Sequence, residues 1–206
     1  MAEKRVFIEG EGPRLEGLLE INDGTGGVVI THPHPLYGGD MDNGVVEAVS
    51  RAYARNGFTT LRFNFRGVGR SDGTFDHGIG EREDVRRALD HLSGIGKSGL
   101  HLAGYSFGAW VNWTALESLP NVAYMVMVSP PVEFLNFGET GPDGRLKLVV
   151  SGSEDDLAPE YMLRDACMKW NPGARLETVS GADHFYSGKA AELDRILEEF
   201  LMLPVA

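Results

Sequence analysis

The chain has 206 residues, 42% of them hydrophobic, and a formal net charge of −11. A single domain of this length buries about two-thirds of its unfolded surface, and the acidic balance disfavours nucleic acid and anionic membrane surfaces as partners. No run nears the ~20 apolar residues of a membrane span and no apolar leader core follows Met1; with a lone Cys167 unable to form an internal disulfide, a cytoplasmic location is expected.

In chain order, Lys4–Glu9 and Leu15–Ile21 read as strands around the turn-prone Gly10-Glu11-Gly12-Pro13, an antiparallel hairpin. Strands are then expected at Gly27–Thr31, Thr59–Phe65, Gly99–Ala103, Val122–Val128, Leu146–Ser151 and Arg175–Val179. Several are unbroken Val/Leu/Ile/Met runs, the pattern of strands covered on both faces. Helical spacing places helices at Gly44–Arg55, Glu81–Leu92, Phe107–Leu119, Pro159–Trp170 and Lys189–Leu201. A hairpin followed by β-α alternation implies an α/β fold with a mostly parallel, doubly wound sheet of about eight strands and helices on both faces. No linker, charge run or repeat divides the chain, so one domain over residues 1–206 is expected, as a monomer or small homo-oligomer.

Gly104-Tyr105-Ser106-Phe107-Gly108 has the G-x-S-x-G spacing of a nucleophile elbow. The pattern is common by itself, but here a buried-strand run precedes it and a helical run follows. The glycines suit a strained turn in which a Cβ would clash. Ser106 would then project at a helix N-terminus, whose dipole favours a developing anion; a serine that only caps its helix is the structural alternative.

A serine hydroxyl needs a neighbouring base, and histidine titrates near neutral pH. His91 and His101 fall in a helix and a strand, where packing or surface roles are expected. His184, in Gly181-Ala182-Asp183-His184-Phe185, lies in a loop after the last strand, at the same carboxyl edge as Ser106. The imidazole in turn needs a carboxylate to hold its tautomer. Gly152-Ser153-Glu154-Asp155-Asp156 follows another strand, and Asp155 and Asp156 both qualify, with Glu154 third.

These segments resemble the α/β-hydrolase superfamily, and more closely the small, lidless bacterial hydrolases related to dienelactone hydrolases and short acyl esterases. The resemblance rests on His32-Pro33-His34-Pro35-Leu36-Tyr37-Gly38-Gly39, on Arg62-Phe63-Asn64-Phe65-Arg66-Gly67-Val68-Gly69-Arg70-Ser71, on the elbow, and on the segments around Asp155 and His184. It implies the α/β-hydrolase fold without a lid domain and the chain order Ser, Asp, His. By the family's G-x-x-D-x-x-x-P pattern it makes Asp155 the acid, and it reads Arg66–Ser71 as a structural turn. It also implies an oxyanion hole from the Phe107 N–H and a second N–H in the loop after the third strand. Pro33 and Pro35 lack an N–H; of His34, Leu36 and Tyr37, the match favours Leu36, then Tyr37. The loop departs from the family's usual H-G form.

The expected activity is hydrolysis of a small-molecule carboxylic ester through an acyl-enzyme, with thioester, lactone or small-peptide cleavage by the same three residues as the alternatives. A non-catalytic module of the same fold would have lost one of the three. No metal or organic cofactor is implied: His32 and His34 lack the further ligands a zinc site needs. His77 reads as loop-ordering, Trp110 and Trp113 as core spacing, and Met125 and Met127 as strand packing. With only Ser129–Asp143 between two strands, there is no room for a lid domain and the pocket should favour short or compact acyl groups.

Overall fold

The computed structural model describes residues 2–138 and 141–202. Its eight strands are β1 (Lys4–Ile8), β2 (Leu15–Glu20), β3 (Gly26–Thr31), β4 (Thr59–Phe63), β5 (Gly99–Tyr105), β6 (Val122–Val128), β7 (Leu146–Gly152) and β8 (Arg175–Val179). The helices are α1 (Gly44–Arg55), α2 (Ile79–Gly94), α3 (Phe107–Ala115), α4 (Glu160–Trp170) and α5 (Ala190–Met202). The sheet runs β1-β2-β4-β3-β5-β6-β7-β8. The first three strands in this order pair antiparallel and all later pairs are parallel. This is the expected α/β-hydrolase architecture.

Side-chain alternation along the strands divides the core in two. Val28, Ile30, Ala103, Tyr105, Val126 and Val128 pack with α1 and α5 on one face. Val29, Leu100, Leu102, Met125 and Met127 pack with α2, α3 and α4 on the other. Since every parallel strand is covered twice, apolar residues can follow one another without a polar break.

Local chemistry sets the element ends. Asn43 caps α1 by accepting the Val45 N–H at 2.9 Å. Helix α2 begins two residues before the expected Glu81, because the buried Glu81 carboxylate reaches back to the N–H groups of Asp76 and Gly78 at 2.8 and 2.7 Å. Helix α3 stops at Ala115 and tightens into a 3₁₀ turn, Leu116–Ser118, short of the expected Leu119. Strand β4 ends at Phe63 and not at Phe65: the Asn64 N–H turns to the Glu16 carbonyl, and the Phe65 N–H to His32 Nε2 at 3.0 Å. The Arg66–Ser71 turn is structural, as expected. Arg66 grips Asp84 of α2 through Nε and Nη2, and Ser71 Oγ donates to the Asn64 carbonyl at 2.7 Å.

Two buried histidines are kept neutral by the fold. Desolvation lowers the pKa of His32 to about 4, and His32 spends both ring nitrogens on backbone: Nδ1 donates to the Pro33 carbonyl at 2.7 Å and Nε2 accepts from Phe65. His101 packs among the rings of Tyr53, Phe58 and Tyr124, its Nδ1 lacks a partner, and desolvation also lowers its pKa to about 4. Unfolded histidine takes up a proton below pH ~6.5, whereas these folded ones resist until about pH 4. Stability therefore falls as pH drops through that window, by up to about 3 kcal/mol for each histidine. In urea denaturation at pH 7 and pH 4.5, His101→Phe should keep the ring contacts and lose less stability between the two pH values than wild type; an equal loss would contradict the assignment.

Candidate active site

Ser106 stands directly after β5 and opens α3 with φ 54° and ψ −120°, a conformation costly for a residue with a side chain. Neighbouring backbone enforces it. The Ser106 N–H is held by the Val128 carbonyl of β6 at 2.9 Å. A Cβ at Gly104 would lie 2.6 Å from the Ala109 nitrogen, and one at Gly108 2.7 Å from the Thr31 carbonyl oxygen. Only glycine allows the helix to start this close to β3 and β5. The elbow is thus a strand-to-helix turn, as its spacing predicts.

His184 lies beyond β8 in a loop shaped by Asp183, whose carboxylate accepts the N–H groups of Phe185 and Ser187 and the Ser187 hydroxyl. The Tyr105 hydroxyl donates to the His184 carbonyl at 2.8 Å, tying this loop to the strand that carries the serine. Backbone bonds from Ser153 to Val179 and from Glu154 to Ala182 join the β7 and β8 loops, which brings Asp155 to the imidazole.

The three side chains form one continuous line. Ser106 Oγ lies 2.9 Å from His184 Nε2, and His184 Nδ1 lies 2.9 and 3.0 Å from the two Asp155 oxygens. Asp155 Oδ1 also accepts the N–H groups of Leu157 and Ala158, each at 3.0 Å. Burial alone would raise the Asp155 pKa; the hydrogen bond and charge interaction with His184, supported by Ser129 and the Ala158 N–H, outweigh it and hold the carboxyl below its ordinary value. Since an ionised carboxylate only accepts, Nδ1 carries the proton and Nε2 faces the serine hydroxyl as an acceptor. Asp156 and Glu154 are exposed and make no hydrogen bond to the imidazole.

Ser106 opens into a cavity of about 460 Å³ lined by His34, Tyr37, Phe107, Pro131, Phe134, Leu135 and Leu157. Its walls are mostly apolar. Trp110 and Trp113 fix one wall by donating their indole N–H groups to the carbonyls of Asn136 and Phe137, at 2.8 and 3.0 Å. As their spacing predicts, Trp113 is buried in the core and Trp110 packs, partly buried, against it. The wall residues Pro131, Phe134 and Leu135 escaped sequence reasoning, although apolar residues just beyond a strand's carboxyl end are a usable signal. His77, exposed and packed on the Phe75 ring, is not part of the lining. A larger groove of about 600 Å³ surrounds Arg62 but contains none of the three side chains, and its guanidinium is held by Glu3, Asp42 and the Met41 carbonyl.

Phe107 is the first residue of α3, and its N–H is among those a helix leaves without an internal acceptor. The two other N–H groups expected at the oxyanion hole already have partners in the 3₁₀ turn Pro35–Tyr37: Leu36 donates to His34 Nδ1 at 3.2 Å and Tyr37 to the His34 carbonyl at 3.0 Å. The His34 ring lies between those of Tyr37, Phe75 and Phe107, and desolvation lowers its pKa, aided by repulsion from His77.

The alpha/beta hydrolase family model matches residues 28–147, more than half of the chain. An uncharacterized protein of Rickettsia prowazekii is 31% identical over 211 residues, covering 96% of this chain and 88% of that protein. The fold matches that of an alpha-beta serine hydrolase homologue from Coxiella burnetii at a TM-score of 0.90, with 33% identity and 98% of each chain covered. It also matches a serine hydrolase without a lid from Xanthomonas campestris at 0.89, with 28% identity, covering 100% of this chain and 97% of that one. Fold, family match and relatives agree: the chain belongs to the alpha/beta hydrolase family.

Proposed function

We propose that the protein is a serine hydrolase that cleaves small carboxylic esters through an acyl-enzyme. The observation that carries this reading is the unbroken hydrogen-bond line from Ser106 through His184 to Asp155, opening into a small apolar cavity. Ser106 Oγ attacks the ester carbonyl while His184 Nε2 accepts its proton. Asp155 stabilises the imidazolium so formed, and His184 then returns the proton to the departing alkoxide. Water, deprotonated by His184, cleaves the acyl-enzyme and restores Ser106.

The negative oxygen of the tetrahedral intermediate lies at the N-terminus of α3, where the Phe107 N–H is one donor. Leu36 supplies the second, exchanging its 3.2 Å bond to His34 Nδ1 for the stronger charge-assisted one; Tyr37, held by a backbone carbonyl, is the reserve candidate. The acyl group lies against Phe107, Phe134, Leu135 and Leu157, with no Lys or Arg in the lining to attract a carboxylate. Compact, uncharged acyl groups fit this wall.

Two measurements test the reading. Wild type should turn over p-nitrophenyl acetate and butyrate faster than octanoate, and Ser106→Ala should remove the activity; equal rates with and without the serine hydroxyl would exclude the mechanism. Among the acids, Asp155→Asn should lower kcat on the order of 10⁴-fold because the imidazole loses the partner that sets its tautomer. Asp156→Asn should stay near the wild-type rate. A large loss confined to Asp156→Asn would move the role to the neighbouring carboxylate.

A further inference from the structure

The turn that carries His184 also fixes its neighbour. Phe185 stands between two buried side chains, His184 and Tyr186. Its own N–H is held by the Asp183 carboxylate at 3.1 Å, and the Tyr186 N–H by the Asp183 carbonyl, also at 3.1 Å. Tyr186 adopts φ 55°, and its hydroxyl lies 3.1 Å from that of Ser129, just beyond β6. With the backbone pinned on both sides, the Phe185 side chain is turned outward and is 70% exposed. Its ring packs almost perpendicular to the His184 imidazole, at 88° and a centroid distance of 5.6 Å.

A phenylalanine left in water contributes little to folding, and one such residue on a surface calls for no explanation. Phe185 is not isolated in this respect. Leu36 and Tyr37, in the loop after β3, and Phe134, in the loop after β6, are also large, apolar and exposed. Tyr37 and Phe134 line the cavity into which Ser106 opens. These side chains come from loops at the rim of the sheet that holds the site.

The reaction determines what meets Phe185. His184 Nε2 returns its proton to the departing alkoxide, so the alcohol oxygen of the ester comes within about 3 Å of that nitrogen. The acyl group lies in the cavity, whose walls do not include Phe185. The rest of the alcohol then leads out past the imidazole, and the ring packed on that imidazole is an apolar surface beside its path. Asp183, a carboxylate on the same turn, disfavours an anionic alcohol part.

Resting on the hydrolase reading above, we propose that Phe185 is a specificity-determining residue for the alcohol side of the ester, and that the substrates join a compact acyl group to an alcohol bearing a flat, uncharged apolar group. Contact between that group and the Phe185 ring removes both from water. The alcohol departs when the acyl-enzyme forms, so the contact acts on acylation and is read in kcat/KM.

The test compares the whole wild-type protein with Phe185→Ala and Phe185→Tyr on ethyl acetate, 3-phenylpropyl acetate and ethyl 4-phenylbutanoate. The last two carry the same phenylpropyl group, one on the alcohol side and the other on the acyl side. Wild type should have its highest kcat/KM on 3-phenylpropyl acetate. In Phe185→Ala the ratio of kcat/KM for 3-phenylpropyl acetate over ethyl acetate should fall about tenfold, the size of one aromatic contact. The ratio for ethyl 4-phenylbutanoate over ethyl acetate should move by less than about twofold. Phe185→Tyr keeps the ring and should keep both ratios. An unchanged first ratio in Phe185→Ala, including an equal loss on every ester from a ring that only shields His184, would overturn the proposal. So would a loss confined to the acyl-side ester, or, with no variant needed, a wild type that cleaves ethyl 4-phenylbutanoate faster than 3-phenylpropyl acetate. Those outcomes beside an inactive Ser106→Ala would sink this inference alone; activity surviving in Ser106→Ala would sink the hydrolase reading beneath it.

Discussion

The contact between Ser106 Oγ and His184 Nε2, 2.9 Å across a gap bridging 78 residues of sequence, is the interaction to which the rest of the architecture is fitted. It requires three loops, after β5, β7 and β8, to converge at one rim of the sheet. Parallel strands make this possible because each delivers its following loop to the same edge. The antiparallel hairpin β1–β2 contributes no residue to the line; it extends the sheet and buries Ile8, Leu15 and Leu19 against the α2 side. The helices cover the sheet, and glycine at the elbow lets α3 begin close enough to aim the serine at the rim.

Electrostatics divides the histidines by environment. His32 and His101 are desolvated without a carboxylate partner, so their neutral forms dominate and they act as packing groups. His184 is also buried, but Asp155 stands against its Nδ1. That difference is what a base requires: a place to hold the positive charge once a proton arrives. Asp155 in turn remains ionised under burial because His184 and the backbone N–H groups of Leu157 and Ala158 all hydrogen-bond to it.

Much of this was legible in the residue pattern. Helix α1 matches its expected bounds, Gly44–Arg55, since a capping asparagine and the Asn56-Gly57 stop are local signals. Strand β6 does too, as an unbroken apolar run. The elbow serine and the loop histidine could be named because each sits where a strand pattern gives way to a loop; that pattern left Asp155 and Asp156 both open, and the resemblance to the family chose Asp155. Less was visible where long-range bonds decide. Strand β4 ends early because His32, from another strand's end, takes the Phe65 N–H. The engagement of Leu36 by His34, the wall formed by Phe134 and Leu135, and the Ser129–Tyr186 pair depend on loop conformations that no spacing rule encodes.

The central claim is that Ser106 is nucleophilic because His184 receives its proton. Reaction with a fluorophosphonate, which is attacked only by an activated serine, followed by mass spectrometry of the digested protein, tests it without knowledge of the physiological ester. The account predicts one adduct per chain, on the peptide containing Ser106, and its disappearance in His184→Ala. Labelling that is absent, falls on another serine, or persists at full rate without the imidazole would contradict it.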